Sequence, residues 1–195
     1  MSRKWVVFVG VASGWVVFDQ LTKFAVVRHF NGIEGARQVV IRGFFDLILA
    51  RNPGAAFSML ANLEPEGLRI AFFVAVSSFA VVLVTMIARA AKPEQSLQIL
   101  ALALVLGGAL GNLVDRVVAG TVVDFLEFYS RAEWMTDLMK CSRARGCRFA
   151  AFNVADIGIS IGVALLILDA ILSTFRAPVP APPADASSGD GKLLS

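Results

Sequence analysis

Four long apolar runs, separated by segments of mixed polarity, organise the chain. They cover roughly residues 5–27, 68–88, 97–118 and 152–175. Crossing the hydrocarbon core of a bilayer takes about 20 helical residues, and each run is long enough. Because no water satisfies an open backbone in lipid, each run must form a helix. The pattern predicts an all-α polytopic membrane protein with four transmembrane helices.

The segments outside these runs set the expected domain organisation. We assign residues 1–176 to one four-helix membrane domain. Residues 177–195 are rich in Pro, Ala and Ser, which predicts a disordered C-terminal tail. Small residues also recur at helical spacing within the runs, which favours close packing between helices. These GxxxG pairs are Gly10 with Gly14, Gly107 with Gly111, and Gly158 with Gly162.

Composition supports a lipid-facing surface and narrows the chemistry. Hydrophobic residues make up 57% of the chain and charged residues 17%, with a mean hydropathy of +0.72. Soluble domains carry about 25% charged residues. The net charge of +3 is too small to favour nucleic acid binding. One histidine and two cysteines cannot build a usual four-ligand zinc site, so we expect neither a metal nor another cofactor.

Basic residues in the short polar segments predict the orientation. Arg3 and Lys4 precede the first run, and Arg89 and Lys92 lie between the second and third runs. Cytoplasmic segments are enriched in Lys and Arg, so both termini are predicted to be cytoplasmic. This orientation brings nearly all strongly polar residues at membrane depth to the outer ends of the spans. They are Asp19, Lys23, Asn112, Asp115, Arg116, Asn153 and Asp156, with Asn52 and Asp124 in the adjoining loops.

Ionisable residues in a span are costly and indicate a functional site. Asn153 and Asp156 are three residues apart, which predicts a shared helix face, and Asp124 approaches from the end of the third span. Two carboxylates in a poorly hydrated site share a proton, so one can activate water while the other donates to a carbonyl oxygen. This is the arrangement of an aspartic peptidase. Two alternatives are structural ion pairing of these aspartates with Arg116 and Lys23, and the polar vestibule of a small transporter or channel.

Five sequence blocks around these residues resemble bacterial lipoprotein signal peptidase (signal peptidase II) over roughly residues 5–175. They are DQLTK at 19–23, RNPGAAFS at 51–58, GGALGNLVDR at 107–116, TVVDF at 121–125 and FNVAD at 152–156. The resemblance implies an aspartic endopeptidase of the inner membrane that removes signal peptides from diacylglyceryl-modified prolipoproteins. Cleavage would fall just before the lipidated cysteine, at the outer face of the membrane.

The resemblance also implies residue roles. Asp124 and Asp156 match the catalytic dyad. The positions that match the binding and shaping of the site are Asp19, Lys23, Asn52, Gly54, Asn112, Arg116, Asn153 and Ala155. A small extracytoplasmic β-like platform is expected at 33–50 and a short amphipathic helix at 60–66. The expected partners are prolipoprotein substrates and membrane lipid, and we expect a monomer that binds no nucleic acid.

Several further features are interpreted from the residues. Asp115 is expected to form a local pair with Arg116, and the GxSxG pattern around Ser160 is expected to be a coincidence, because its mechanism needs a strand-to-helix turn and a histidine partner. Residues 134–148 form a longer and more basic loop than the resemblance implies. Cys141 and Cys147 lie in this loop and are expected to face an oxidising compartment, but whether they pair is left open.

Overall fold

The computed structural model describes residues 2–54, 66–141 and 146–176. Four long helices occupy the four apolar runs: α1 (Arg3–His29), α2 (Glu66–Ala90), α3 (Ser96–Ala119) and α5 (Val154–Arg176). Each begins and ends within about two residues of the predicted run, and all four are long and apolar enough to cross a membrane. The expected disordered tail and nearly all of the expected short helix at 60–66 lie outside the described residues.

Helix α3 is the centre of the bundle, since it packs against α1, α2 and α5. Small residues of α3 and α5 allow this packing. A Cβ atom added at Gly107 would lie 2.9 Å from the carbonyl oxygen of Ala12, and one added at Gly162 would lie 2.6 Å from that of Ala101. By contrast, Gly10 and Gly14 have no described neighbour within 4 Å of such an atom. The prediction of close helix contact is therefore wrong for this first GxxxG pair.

A four-stranded antiparallel sheet covers one end of the bundle, in the strand order β1-β2-β3-β4. The strands are β1 (Arg37–Ile41), β2 (Phe45–Asn52), β3 (Val122–Ser130) and β4 (Cys147–Arg148). A short helix, α4 (Glu133–Leu138), lies between β3 and β4. The platform expected at 33–50 is therefore only half of the sheet, because the other two strands come from residues after α3.

The sheet is tied closely to the bundle. Leu49, Val123 and Phe125 of the sheet form one buried apolar cluster with Val26 of α1 and Val154 of α5. Strand β3 begins only three residues after the end of α3. Where the chain returns to α5, the backbone of Phe152 exchanges hydrogen bonds of 2.9 and 3.0 Å with that of Leu126. These links fix the start of β3 beside the first turn of α5.

Candidate active site

A cavity of about 430 Å³ opens where the sheet meets the helix ends. Asp124 reaches it from the third position of β3, and Asp156 reaches it from the first turn of α5. The structure therefore brings the two predicted catalytic carboxylates to one cavity from different elements. The other lining residues are Ala50, Arg51, Asn52, Pro53, Asn112, Arg116, Val122, Ala150 and Ala151.

Asp124 is almost completely buried and accepts a hydrogen bond on each oxygen. The Asn153 amide donates to Oδ1 at 2.7 Å, and the Asn52 amide donates to Oδ2 at 2.8 Å. Burial is the largest influence on this carboxyl, and with the nearby negative charge of Asp156 it raises the pKa of Asp124 to about 6, against the opposing effect of the two amide bonds and of Lys23. Asp124 thus holds a proton far more readily than an ordinary aspartic acid.

Asp156 is held by a capping box at the start of α5. The backbone N–H of Asn153 donates to Asp156 Oδ2 at 3.1 Å, and the backbone N–H of Asp156 donates to Asn153 Oδ1 at 3.1 Å. The Asn112 amide donates to the remaining oxygen, Asp156 Oδ1, at 2.8 Å. The prediction that Asn153 and Asp156 share a helix face is therefore wrong, because Asn153 precedes the helix and caps it.

Asn153 connects the two carboxylates. Its side-chain amide donates to Asp124, its backbone N–H donates to the Asp156 carboxylate, and its side-chain oxygen accepts from the Asp156 backbone N–H. The residue is fully buried, so these bonds have no competition from bulk water. The positions of the two carboxylates are therefore set by one residue that both of them contact.

A buried lysine bridges two further carboxylates beneath the cavity. Lys23 Nζ lies 2.8 Å from Asp19 Oδ2 and 2.9 Å from Asp115 Oδ2, and it donates to Asn112 Oδ1 at 3.0 Å. All four residues are buried. The expected local pair between Asp115 and Arg116 is wrong. Adjacent residues on a helix do not face each other, so Asp115 turns to Lys23 of α1 instead.

The two carboxylates bridged by Lys23 hold the backbone beside each dyad residue. Asp19 Oδ1 accepts a hydrogen bond of 2.8 Å from the backbone N–H of Ala155, the residue before Asp156. Asp115 Oδ2 accepts one of 3.1 Å from the backbone N–H of Val123, the residue before Asp124. The predicted site residue Ala155 therefore contributes through its backbone, and Asp19 and Lys23 support the site without lining the cavity.

Gln20 belongs to this network but was not singled out from the sequence. Its side-chain amide donates to Asp19 Oδ2 at 3.2 Å, to Asp115 Oδ1 at 2.9 Å and to the Gly111 carbonyl at 3.1 Å. The sequence feature that could have identified Gln20 was its position between Asp19 and Lys23 in the first sequence block. Uncharged polar residues in a span are common, so this position alone did not indicate a role.

Gly54 and Arg116 shape the mouth of the cavity. The Gly54 N–H donates to Asn52 Oδ1 at 2.9 Å, which orients the Asn52 amide towards Asp124. Gly54 has a φ of 105°, and the Phe73 ring occupies the space that a Cβ atom would need, so only glycine fits there. The Arg116 guanidinium lies 5.4 Å from the centre of the same ring and interacts electrostatically with Asp156 and Asp124.

Ser160 lies outside the site. It is an exposed residue of α5, six residues after the helix begins, and it does not line the cavity. It sits inside a continuous helix rather than on the strand-to-helix turn that a serine nucleophile of the GxSxG type requires.

Comparison with known proteins gives a consistent set of relatives. The sequence matches the family described as signal peptidase (SPase) II over residues 11–172. A lipoprotein signal peptidase of Ralstonia nicotianae is 42% identical over 162 residues, which are 83% of this chain and 82% of that protein. One of Geobacter sulfurreducens is 39% identical over 171 residues, which are 88% of this chain and 95% of that protein.

Solved structures show the same fold. A structure described as a bacterial membrane enzyme superposes with a TM-score of 0.67 at 27% identity, covering 88% of this chain and 91% of the other. A second structure with the same description gives a TM-score of 0.66 at 28% identity, covering 85% and 92%. The similarity therefore extends over the helices and the sheet together.

Proposed function

The chain belongs to the signal peptidase II family, and from this premise we propose that Asp124 and Asp156 are the aspartic dyad with which it cuts its substrates. Its activity is that of a lipoprotein signal peptidase, the removal of signal peptides from prolipoproteins. The observation that carries the aspartic mechanism is the direct hydrogen bonding of Asn153 to both carboxylates at the edge of one cavity. With water as the nucleophile, this arrangement needs no covalent intermediate between enzyme and substrate.

The surroundings of the two carboxyl groups favour different roles. Asp124 is the more deeply buried, and its raised pKa makes it easier to protonate than an ordinary aspartic acid. Asp156 interacts with the Arg116 guanidinium and accepts hydrogen bonds from Asn112 and Asn153, which stabilise a carboxylate. We therefore assign Asp124 as the general acid and Asp156 as the general base in the first step.

The reaction follows from these roles. The Asp156 carboxylate takes a proton from a water molecule, whose oxygen attacks the carbon of the scissile carbonyl. Asp124 gives its proton to the carbonyl oxygen, so that a neutral tetrahedral diol forms and the dyad retains one proton in total. When the C–N bond breaks, Asp156 returns its proton to the leaving nitrogen and Asp124 recovers a proton from the diol. The enzyme ends in the state in which it began.

The position of the cavity supports a membrane-bound substrate. It lies where α3 and α5, two helices that are able to cross a membrane, meet the sheet, and we propose that this end is at the outer face of the bacterial inner membrane. A diacylglyceryl-modified cysteine would lie at this surface with its acyl chains in lipid, while the signal peptide occupies the core as a helix. Cleavage just before that cysteine places the scissile bond at the cavity. One chain supplies every site residue described, so we expect an active monomer.

The test uses purified protein in liposomes with two substrates of identical sequence, one carrying the diacylglyceryl group and one without it. We expect wild type to release the signal peptide from the modified substrate only, with the new N-terminus at the lipidated cysteine by mass spectrometry. Asp156→Asn should abolish release. Asp169→Asn, the same change farther along α5 and outside the cavity, should cleave like wild type. Equal cleavage of the unmodified substrate would contradict the assigned specificity, and cleavage by Asp156→Asn would contradict the mechanism.

A further inference from the structure

The end of the sheet farthest from the cavity carries a group of large apolar side chains that are exposed, between 43% and 74% in each case. We call this group the distal rim. Its members are Ile41, Phe44, Trp134, Leu138, Met139 and Phe149. Single exposed apolar residues are common on proteins, but a contiguous group of this size indicates a surface that is covered in use.

Backbone and disulfide bonds hold the elements of the distal rim together. The N–H of Tyr129, near the end of β3, donates to the Phe44 carbonyl of the β1–β2 hairpin at 2.9 Å. The N–H of Phe149, just after β4, donates to the Phe128 carbonyl at 2.9 Å. A disulfide between Cys141 and Cys147 joins the segment after α4 to β4. The hairpin tip, α4 and β4 therefore form one surface at the end of β3.

The sheet is attached to the bundle through the first half of β3. Val123 and Phe125 pack there on Val26, near the end of α1, and on Val154, at the start of α5. Strand β3 has nine residues and spans about 30 Å at roughly 3.3 Å per residue. Its second half therefore lies beyond the residues that attach the sheet to the helix ends.

Positive charge surrounds the distal rim. The described basic residues near it are Arg42, Arg131, Lys140 and Arg148, of which Arg148 is ion-paired with Asp46 and Glu127 of the sheet. Arg42, Arg131 and Lys140 are exposed beside the apolar side chains. Apolar residues interleaved with Lys and Arg are typical of surfaces that lie in the membrane interface and attract anionic lipids.

We propose that the distal rim is a membrane-surface anchor, which inserts its apolar side chains into the adjacent lipid leaflet and places its Lys and Arg residues on anionic headgroups. This inference rests on the proposed function in one respect, the placement of the sheet end at the outer face. The anchor holds the far end of β3 at the membrane surface. Asp124, near the other end of the strand, is thereby kept at the height where a lipid-modified cysteine would lie.

Tryptophan fluorescence in liposomes tests the proposal without any turnover. The chain has three tryptophans, of which Trp5 and Trp15 lie in α1, so the difference between wild type and Trp134→Phe isolates Trp134. Lipids brominated near the headgroup end of their acyl chains should quench more than about a third of this component, whereas aqueous iodide should quench little of it. Quenching by iodide and not by brominated lipid would overturn the proposal.

Protection from both quenchers would also overturn it, because protein would then cover the distal rim. Loss of that protection on dilution in lipid would assign the contact to a second copy of the chain. Arg131→Gln with Lys140→Gln should lower quenching by brominated lipid in anionic vesicles and leave it unchanged in zwitterionic ones. The matched control, Arg3→Gln with Lys92→Gln, removes two charges at the opposite end of the bundle and should change neither. Because this experiment does not depend on catalysis, a negative result would contradict the membrane anchor alone and would not bear on the proposed roles of Asp124 and Asp156.

Discussion

Burial of Asp124 beside the charge of Asp156 is the residue-scale feature with the clearest consequence for pH. These effects raise the pKa of Asp124 to about 6, and the proposed reaction needs this carboxyl protonated. The value of kcat/KM should therefore fall as pH rises through about 6, since it reports the free enzyme. The value of kcat should hold to higher pH, because bound substrate excludes water and raises the pKa further. Profiles of both constants measured in liposomes check this, and a kcat/KM that rises through pH 6 would contradict it.

The second prediction at the residue scale concerns the contribution of Lys23 to the free energy of unfolding. Lys23 is the cation between Asp19 and Asp115, and both carboxylates are buried. Replacing Lys23 with Met should cost about 3–5 kcal/mol in the free energy of unfolding, because two buried charges lose their counterion. Thermal unfolding in detergent measures the effect.

A triple variant separates this electrostatic role from loss of packing. Adding Asp19→Asn and Asp115→Asn to Lys23→Met removes the uncompensated charges and should restore part of the lost stability. Asp115→Asn alone should cost less than Lys23→Met and retain some activity, because an amide oxygen can still accept the Val123 N–H. A Lys23→Met protein that unfolds at the wild-type temperature would show that the network is not a source of stability.

At the scale of elements, we predict opposite effects on stability when a glycine of α5 and a glycine of α1 are replaced with alanine. A Cβ atom at Gly162 would lie 2.6 Å from the backbone oxygen of Ala101, which cannot move without shifting α3. Gly162→Ala should destabilise the bundle by about 1–3 kcal/mol. The matched control, Gly10→Ala, meets no described atom within 4 Å and should be neutral or stabilising by less than about 1 kcal/mol. Thermal unfolding of both variants checks this, and equal effects would show that the α3–α5 contact is not tight.

The elements also show what a sequence can predict. The four helices were predictable because the length of an apolar run can be read from the sequence without knowledge of how the run packs. The capping box was not, since two polar residues three apart suit either a shared helix face or a helix start. Asp115 pairs with Lys23, which is 92 positions away in the sequence, whereas the sequence suggested a pair with the adjacent Arg116. Pairings between distant elements depend on packing, which a single sequence does not display.

At the scale of the whole molecule, the four candidate spans of the described residues predict the relation between the termini. Four crossings put both ends on one side, and the basic residues Arg3, Lys4, Arg89 and Lys92 predict that this side is the cytoplasm. A reporter that works only in the cytoplasm should be active when fused after Lys192. Activity there of a reporter that works only outside the cytoplasm would reverse the molecule and move the cavity to the inner face.

The distribution of buried charge along the helices also distinguishes a peptidase from a transporter. The buried ionisable residues of the described helices gather at the end covered by the sheet. A transporter would be expected to carry its polar groups at the membrane midplane, at broken helices. Within the described residues α1, α3 and α5 are continuous, so the arrangement favours a reaction at the surface over passage through the bundle.

We propose that Asp124 and Asp156 perform catalysis and do not serve mainly to hold the fold. The most direct test of this proposal measures cleavage of a lipid-modified prolipoprotein and thermal unfolding together, for Asp124→Asn, Asp156→Asn and the control Asp169→Asn. We predict that the two dyad variants lose at least about a thousandfold in turnover while remaining folded. Compared with wild type, Asp124→Asn should gain stability as pH rises from about 4 to about 6, because over this range the folded wild type retains a proton on Asp124 that its unfolded chain has already released, a difference that the variant lacks. Appreciable cleavage by either dyad variant, or loss of activity that only follows unfolding, would contradict the account.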